Sequence, residues 1–369
     1  MSTRIVGVPR EIKTHEYRVG LVPESVRELT RLGHTVLVEH NAGAGIGVSD
    51  EAYQNMGARI VPDAETLFGE SELIVKVKEP QPQECKRLTK KHTLFTFLHL
   101  APDRVQAELL LASGCTAIAY ETVSDAQGRL PLLAPMSEVA GRMSVQMGAS
   151  GLEKPQGGRG VLLGGVPGVM PAKVLVLGAG VVGSQAARIA IGMQATVIVM
   201  DNNINKLRAI DDQYGVKVRT AFYTQDALEK LLPTMDLVIG AVLIPGGSAP
   251  KLIRKSHLAM MQKGSVLVDV SIDQGGCFES SRPTTFEKPS YVEGGVVHYA
   301  VSNMPGAAPY TSAYALNNAT LPYVLKLASL GTNTALRSDT SLLLGLNVFN
   351  GAITHPEVAK ALDLPLQAF

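Results

Sequence analysis

The sequence predicts an α/β protein of two doubly wound, mostly parallel sheets, with one domain inserted in the chain of the other. Three observations predict it. Short apolar runs of β type alternate with helical patterns from Arg4 to Tyr120. A second alternation of the same kind runs from about residue 173 to 301. Two long helical stretches, near 135–153 and 309–330, stand where the chain would leave the first domain and return to it. A length of 369 residues suffices for two ordinary domains, each with its own core. The expected division is 1–134 with 306–369 for one domain and 135–305 for the other.

In the first alternation the strand candidates are IVGVP, HTVLVE (34–39), ARIV (58–61), ELIVKVK (72–78), TLFTFL (93–98) and TAIAY (116–120). Helical patterns lie near 23–32, 50–56, 63–69, 82–90 and 102–113. Pro23 and Pro102 are placed at first turns and Asp50 at an N-cap. After the polar turn SDAQGR (124–129), a long helix is expected from about Pro135. The glycine-rich stretch QGGRGVLLGGVPGV (156–169) leads into strands near 173–178, 195–200, 236–241, 265–270 and 296–301. Helical patterns between them fall at 181–192, 203–213, 225–232 and 250–262. TSAYALNNATLPYVLKLASL (311–330) is again helical, with a kink expected at Pro322.

Composition narrows the function classes. Hydrophobic residues are 46% and charged ones 18%, which suits a packed α/β protein rather than a disordered one. A net charge of +1 gives no reason to expect nucleic acid or an anionic membrane as partner. Cys85, Cys115 and Cys277 form no metal-ligand spacing and no disulfide framework, so no metal and a reducing, cytoplasmic compartment are expected. MSTRIVGVPR runs straight into a strand without a signal core, and no apolar run approaches the roughly 18 residues of a membrane span.

The segment 174–201, VLVLGAGVVGSQAARIAIGMQATVIVMD, carries the most chemistry. Gly178 permits a tight turn out of a strand, Gly180 lets backbone amides approach a pyrophosphate, and Gly183 lets the following helix pack closely. The helix N-terminus offers unpaired N–H groups to phosphate. Asp201 ends the second run, where an acid accepts from a ribose 2′-OH and repels a 2′-phosphate, favouring NAD over NADP. Strand, turn, helix, strand and acid in that order define a Rossmann unit. NAGAGIGVSD (41–50) is a weaker glycine loop: it reads GxGxG, closes on Ser49 and Asp50, and is expected to be a turn with left-handed positions.

Ligands of open α/β sheets bind outside the carboxyl ends of the strands. In the first domain those ends deliver Lys76 and Lys78, His99 and Glu121, with Arg18 in a polar turn after the first strand. Together they suit a small anionic substrate: Arg and Lys bind a carboxylate and His manages a proton. Each also has a plainer reading, as a solvated strand end, a hydrogen-bonded histidine or a glutamate that orients a loop. In the second domain Asp269 lies inside a strand and reads as a structural acid. Asp273 lies just beyond that strand, IGAVLIPG (239–246) follows another, and VSNMPG (301–306) brings Asn303 to a turn.

The strings GVPREIKTHEYRVGLVPE, VKVKEP, LFTFLHLA, AYETV, LPLLAPMSEVAGRMS, LGAGVVG, VLVDVSIDQGGCFESSRPTT and VSNMPGAAPYTSAYALNNATLPY extend the reading. Nearly the whole chain resembles the alanine dehydrogenase family, which includes domain I of proton-translocating transhydrogenase. The resemblance implies a homohexameric enzyme that interconverts L-alanine with pyruvate and ammonia using NAD. It implies His99 and Asp273 as the catalytic pair, and Arg18 and Lys78 as substrate-binding residues. Beside the three glycines, it implies cofactor contacts at Ser137, Val181, Val182, Asp201, Lys206, Val242, Leu243 and Arg282. Val270, Ser271, Ile272, Val301, Ser302, Asn303 and Met304 complete that pocket. Glu121 is a pocket residue. Tyr223 stands about where the family often has a serine near the adenine, so no contact is assigned there.

Overall fold

Runs of four to six Val- and Ile-rich residues, with a helix-length segment between them, suit parallel strands buried on both faces. The computed structural model describes residues 3–242 and 249–369, and in it these runs form two sheets. The chain divides into two compact units, Met1–Met136 with Gly306–Phe369, and Ser137–Pro305.

In the first unit β1 (Ile5–Val8), β2 (Thr35–Glu39), β3 (Arg59–Val61), β4 (Leu73–Val75), β5 (Thr93–Thr96) and β6 (Thr116–Ala119) pair in parallel. The helices α1 (Pro23–Arg31), α2 (Asp50–Asn55), α3 (Ala64–Glu70), α4 (Pro82–Cys85) and α5 (Arg104–Ser113) make the successive crossovers. The lateral order is β3-β2-β1-β4-β5-β6, so the winding reverses between β1 and β4. Loops leaving those two strands diverge there and open a crevice.

Several boundaries differ from expectation. Pro23 does open α1, but Ser49 caps α2 by accepting from the Ala52 amide, while Asp50 accepts from His40 Nδ1 and the Asn41 amide. The cap of α5 is Asp103, which accepts from Gln106, so Pro102 precedes the helix instead of starting it. The helix expected at 82–90 stops at Cys85, because the Thr89 amide turns back to His92 Nδ1. β4 ends at Val75, short of Lys78, because the amides of Val77 and Lys78 point to Glu11 Oε1 at 2.6 and 3.4 Å.

Helix α6 (Ala134–Gly151) begins at the end of the first unit and leads into the second. There β7 (Lys173–Leu177), α7 (Val181–Gly192), β8 (Thr196–Asp201), α8 (Ile204–Tyr214), β9 (Val218–Phe222), α9 (Gln225–Leu231), β10 (Leu237–Gly240) and β11 (Val266–Asp269) follow in turn. β12 (Ser290–Glu293) is an antiparallel edge strand on β13 (Val296–Tyr299). The order β9-β8-β7-β10-β11-β13 repeats the first unit's pattern, with its reversal between β7 and β10. The helix expected at 250–262 is a 3₁₀ segment over Lys255–Met260. Residues before it are extended, with the Leu252 amide donating to Cys277 O.

The chain then returns through α10 (Pro309–Leu330), which continues across Pro322, α11 (Thr332–Ser338) and α12 (Thr340–Leu344). β14 (Leu346–Phe349) pairs antiparallel with β6, β15 (Ala352–Ile353) extends that edge, and α13 (Pro356–Leu362) closes the chain. Apolar layers cover both faces of each sheet. In α10, buried Asn317 accepts from the Val22 amide and donates to Gly20 O, fixing the backbone just after Arg18. No helix among the described residues is long and apolar enough to cross a membrane.

Lys76 lies fully buried where β4 ends, with Nζ 2.8 Å from Glu84 Oε1 and 3.1 Å from Glu11 Oε2. Burial alone would lower its proton affinity, but the two carboxylates outweigh that and hold the ammonium charged. Lys76→Met leaves two buried carboxylates without a counter-ion. A loss of about 3–5 kcal/mol is expected in denaturant unfolding. Such carboxyls are protonated in the fold more readily than in the unfolded chain, so the deficit should grow as pH rises. A deficit independent of pH would refute this account.

Candidate active site

The crevice of the first unit is built by three loops. After β1, Arg18 is 2% exposed and its Nε and Nη2 donate to Glu16 Oε1 and Oε2 at 2.7 and 2.6 Å, with Nη1 3.0 Å from Met136 Sδ. Burial would raise the Glu16 carboxyl, yet the Arg18 guanidinium, and beyond it Lys78, hold it below the usual range. After β4, half-buried Lys78 is followed by Glu79, which is ion-paired to Lys13 from the first loop. After β5, His99 sits at φ +49, a left-handed conformation that few residues other than glycine adopt. Glu121, just beyond β6, accepts its amide at 2.6 Å and that of Leu98 at 3.2 Å. The His99 ring stacks on Phe97, and Nδ1 lies 3.7 Å from Glu79 Oε2.

Arg18, Lys78 and His99 are therefore gathered on one rim, with Glu16 and Glu79 between them. Glu121 serves there as the residue that orients the His99 backbone. Lys76, by contrast, is turned inward into an ion-paired structural role. The weaker glycine loop is structural as well. A Cβ on Gly45 would lie 2.2 Å from Tyr17 O, so the loop packs against the backbone next to Arg18. It holds a short 3₁₀ turn, with Asn41 and Gly47 left-handed. Sequence reasoning missed Glu11, Glu16 and Glu79 as partners. The alternation of acids with cations in EIKTHEYR and VKE was the available signal.

The second unit places its glycine turn at the β7/β10 reversal. Gly178 has φ +106, and a Cβ there would lie 2.5 Å from Ala241 O. A Cβ on Gly183 would lie 1.7 Å from Gly178 O, whereas one on Gly180 would meet nothing within 4 Å. The first and third glycines thus serve packing, and the second faces open space. Helix α7 starts there with no side-chain cap, and Val181 is exposed beside half-buried Val182. Open space above uncapped amides fits a pyrophosphate. Asp201, at the end of β8, accepts from the Ala179 and Asn203 amides at 2.7 and 2.8 Å, bracing the turn with the carboxylate expected at the ribose. Lys206 lies in the first turn of α8, exposed.

Around this turn, Val270 donates its amide to Gly240 O, and Ser271 Oγ donates to Val242 O at 2.7 Å. Ile272 is buried, while Asp273 is exposed, with Oδ2 3.4 Å from the amide of left-handed Asn303. Val301 and Met304 are buried and Ser302 is half-buried. Asp269 is a structural acid: it accepts from the amides of Ser271, Cys277 and Phe278 and from Ser281 Oγ. Arg282 lays its guanidinium 3.8 Å from the Tyr291 ring centroid and pairs with Glu293. Ser137 is half-buried in the first turn of α6. Leu243 lies outside the described residues.

Winding reversals that open at strand ends, one of them holding a glycine turn, are the mark of dinucleotide-binding α/β proteins. Within that class the chain belongs to the alanine dehydrogenase/PNT family: residues 7–140 match its N-terminal domain and residues 144–356 its C-terminal domain. It is 55% identical over 359 residues to the alanine dehydrogenase of Halomonas elongata, covering 97% of each chain. A solved L-alanine dehydrogenase superimposes with TM-score 0.95 at 50% identity, over 97% of this chain and 99% of that one. A transhydrogenase from Sinorhizobium meliloti does so with TM-score 0.79 at 25% identity, over 95% and 99%. The fold class is the one the sequence implied, and the chain is an oxidoreductase with a pyridine nucleotide cofactor.

The glycine geometry gives a direct test. Gly183→Ala should push α7 off the turn and weaken binding of a reduced pyridine dinucleotide by tenfold or more (about 1.4 kcal/mol) in fluorescence titration. Gly192→Ala, where a Cβ meets nothing within 4 Å, should leave affinity unchanged. Equal affinities in the two variants would contradict this packing role.

Proposed function

We propose that the chain catalyses the reversible, NAD-dependent oxidative deamination of L-alanine to pyruvate and ammonia. The observation that carries the reading is the gathering of Arg18, Lys78 and His99 on one strand-end rim, in a chain so similar to alanine dehydrogenases. In this reading the first unit is the substrate domain and the second the NAD-binding domain. NAD, when bound, supplies the acceptor for the hydride that leaves the alanine α-carbon.

Arg18 binds the substrate carboxylate, with its guanidinium plane already fixed by Glu16, as bidentate recognition requires. Lys78 holds the amino or keto end. Loss of hydride leaves an iminium on the substrate carbon, which water attacks. His99 and Asp273 move the protons of the carbinolamine steps. On the cofactor side, Gly178, Gly180 and Gly183 shape the pyrophosphate seat, with Val181 and Val182 at the helix start and Asp201 and Lys206 at the ribose. Ser137, Val242, Leu243, Arg282, and the segments Val270–Asp273 and Val301–Met304 complete the pocket. Twofold higher identity to a solved L-alanine dehydrogenase than to a solved transhydrogenase favours a self-sufficient enzyme over a transhydrogenase subunit. A cytoplasmic homohexamer is the state that the family resemblance supports.

The test is formation of reduced nicotinamide with a panel of amino acids and both dinucleotides. L-Alanine with NAD should give the highest kcat/KM. Activity confined to another amino acid, or to NADP, would overturn the reading. His99→Ala should lower kcat by about 100-fold or more while dinucleotide affinity stays within about twofold. Near-normal turnover would remove His99 from the chemistry. Asp201→Asn should raise the NADP/NAD ratio of kcat/KM about tenfold, since it removes the charge facing a 2′-phosphate; an unchanged ratio would show that Asp201 does not select the cofactor.

A further inference from the structure

Glu79 holds a feature that the proposed chemistry leaves unused. Its Oε2 is enclosed by protein and has no hydrogen-bond partner among the described residues. Buried acceptors without partners are costly and rare, so one beside a histidine at a strand-end rim calls for a reason. The opposite oxygen, Oε1, is anchored by Lys13, which keeps the carboxylate from swinging out to solvent. His99 Nδ1 lies 3.7 Å from the enclosed oxygen, slightly longer than a hydrogen bond.

The histidine is equally constrained. Its left-handed backbone is pinned by Glu121, Gln106 holds Leu98 O at 3.1 Å, and the ring lies on Phe97 with an interplanar angle of 24°. A small rotation of the ring over Phe97 closes the gap to Glu79. We propose that Glu79 is the positioning residue of His99: it takes the Nδ1–H, fixes the tautomer and leaves Nε2 to exchange protons with substrate. This rests on the reading that His99 moves protons.

The surrounding charges support the pairing. Lys13 and Lys78 approach Glu79 from the β1 and β4 loops, Glu121 from beyond β6 is committed to backbone amides, and Asp103 caps α5. Burial would raise the Glu79 carboxyl, but His99, Lys78 and Lys13 together hold it well below the usual range. It thus stays an anion throughout the range in which imidazoles titrate. A carboxylate that accepts a ring N–H favours the charged form of an imidazole over the neutral one.

Carbethoxylation of His99 against pH, read on its peptide by mass spectrometry, measures the pairing in the full-length enzyme without substrate. Glu79→Gln should move the midpoint down by about one pH unit. Glu79→Asp should recover at least part of that shift, and Lys13→Met should move the midpoint up. In turnover, Glu79→Gln should lower kcat about tenfold and shift the pH profile the same way, with dinucleotide affinity unchanged. A wild-type midpoint in a natively folded Glu79→Gln variant overturns the proposal. Should that variant not fold, a wild-type midpoint in Lys13→Met overturns it instead. If the midpoint moves while His99→Ala keeps full turnover, the pairing stands and the catalytic reading of His99 fails.

Discussion

In each unit the chain winds outward from its first strand, then crosses back to lay a later strand on the other side. That reversal forces the loops after β1 and β4, and after β7 and β10, to depart toward opposite faces. The gap cannot be closed by packing, because right-handed crossovers take the following helices to opposite layers. The central parts of both candidate sites lie at these two gaps, with His99 after β5 and Asp273 after β11 one strand further along. One holds Arg18, Lys78 and Glu79; the other holds the glycine turn and Val242.

A gap between diverging loops needs its own stiffening, and the two units solve this differently. The second uses backbone contact: glycines let Gly178 O and α7 come together, and Asp201 ties the turn to β8 by accepting the Ala179 amide. The first uses buried charge. Lys76 joins Glu11 from the β1 loop to Glu84 from α4, and Glu11 in turn accepts the amides of Val77 and Lys78. Buried ion pairs are poor sources of net stability, since desolvation offsets most of the attraction. Their value here is geometric: they fix the course of the backbone that presents Lys78 and Glu79. Glu11 is itself strained by this role, with burial pushing its carboxyl up despite the adjacent ammonium.

The parts legible in the sequence are those written in local pattern. Apolar runs of β type and the glycine turn declare themselves because burial on both faces and close backbone approach each restrict residue type. β9 and β12 escape notice because edge strands keep exposed, polar residues, and β14 because its partner β6 lies far away in the chain. The fate of Lys76 as against Lys78 was invisible for a similar reason. Both are lysines at the end of one strand, and only Glu11 and Glu84, contributed by two other segments, decide that one is buried and the other faces the rim. The same holds for Glu121, whose role depends on where the left-handed turn at His99 sets its amide.

The charge balance of the first rim bears on which substrate form it admits. Among the described residues around it, Lys13, Arg18, Lys76 and Lys78 stand against Glu11, Glu16, Glu79, Glu84 and Glu121. With a neutral imidazole this set has no cationic excess, although it contains an arginine and three lysines. A zwitterionic amino acid brings no net charge and enters such a site without penalty. A keto acid brings one negative charge, and in a partly desolvated crevice that charge needs a compensating proton. His99 is the group on the rim placed to carry it, since its Nδ1 lies 3.7 Å from Glu79 Oε2 and Lys76 is committed elsewhere. In the proposed reaction the amination direction would therefore begin from protonated His99 and the deamination direction from the neutral ring. The acid and base roles of one histidine then follow from the substrate's own charge.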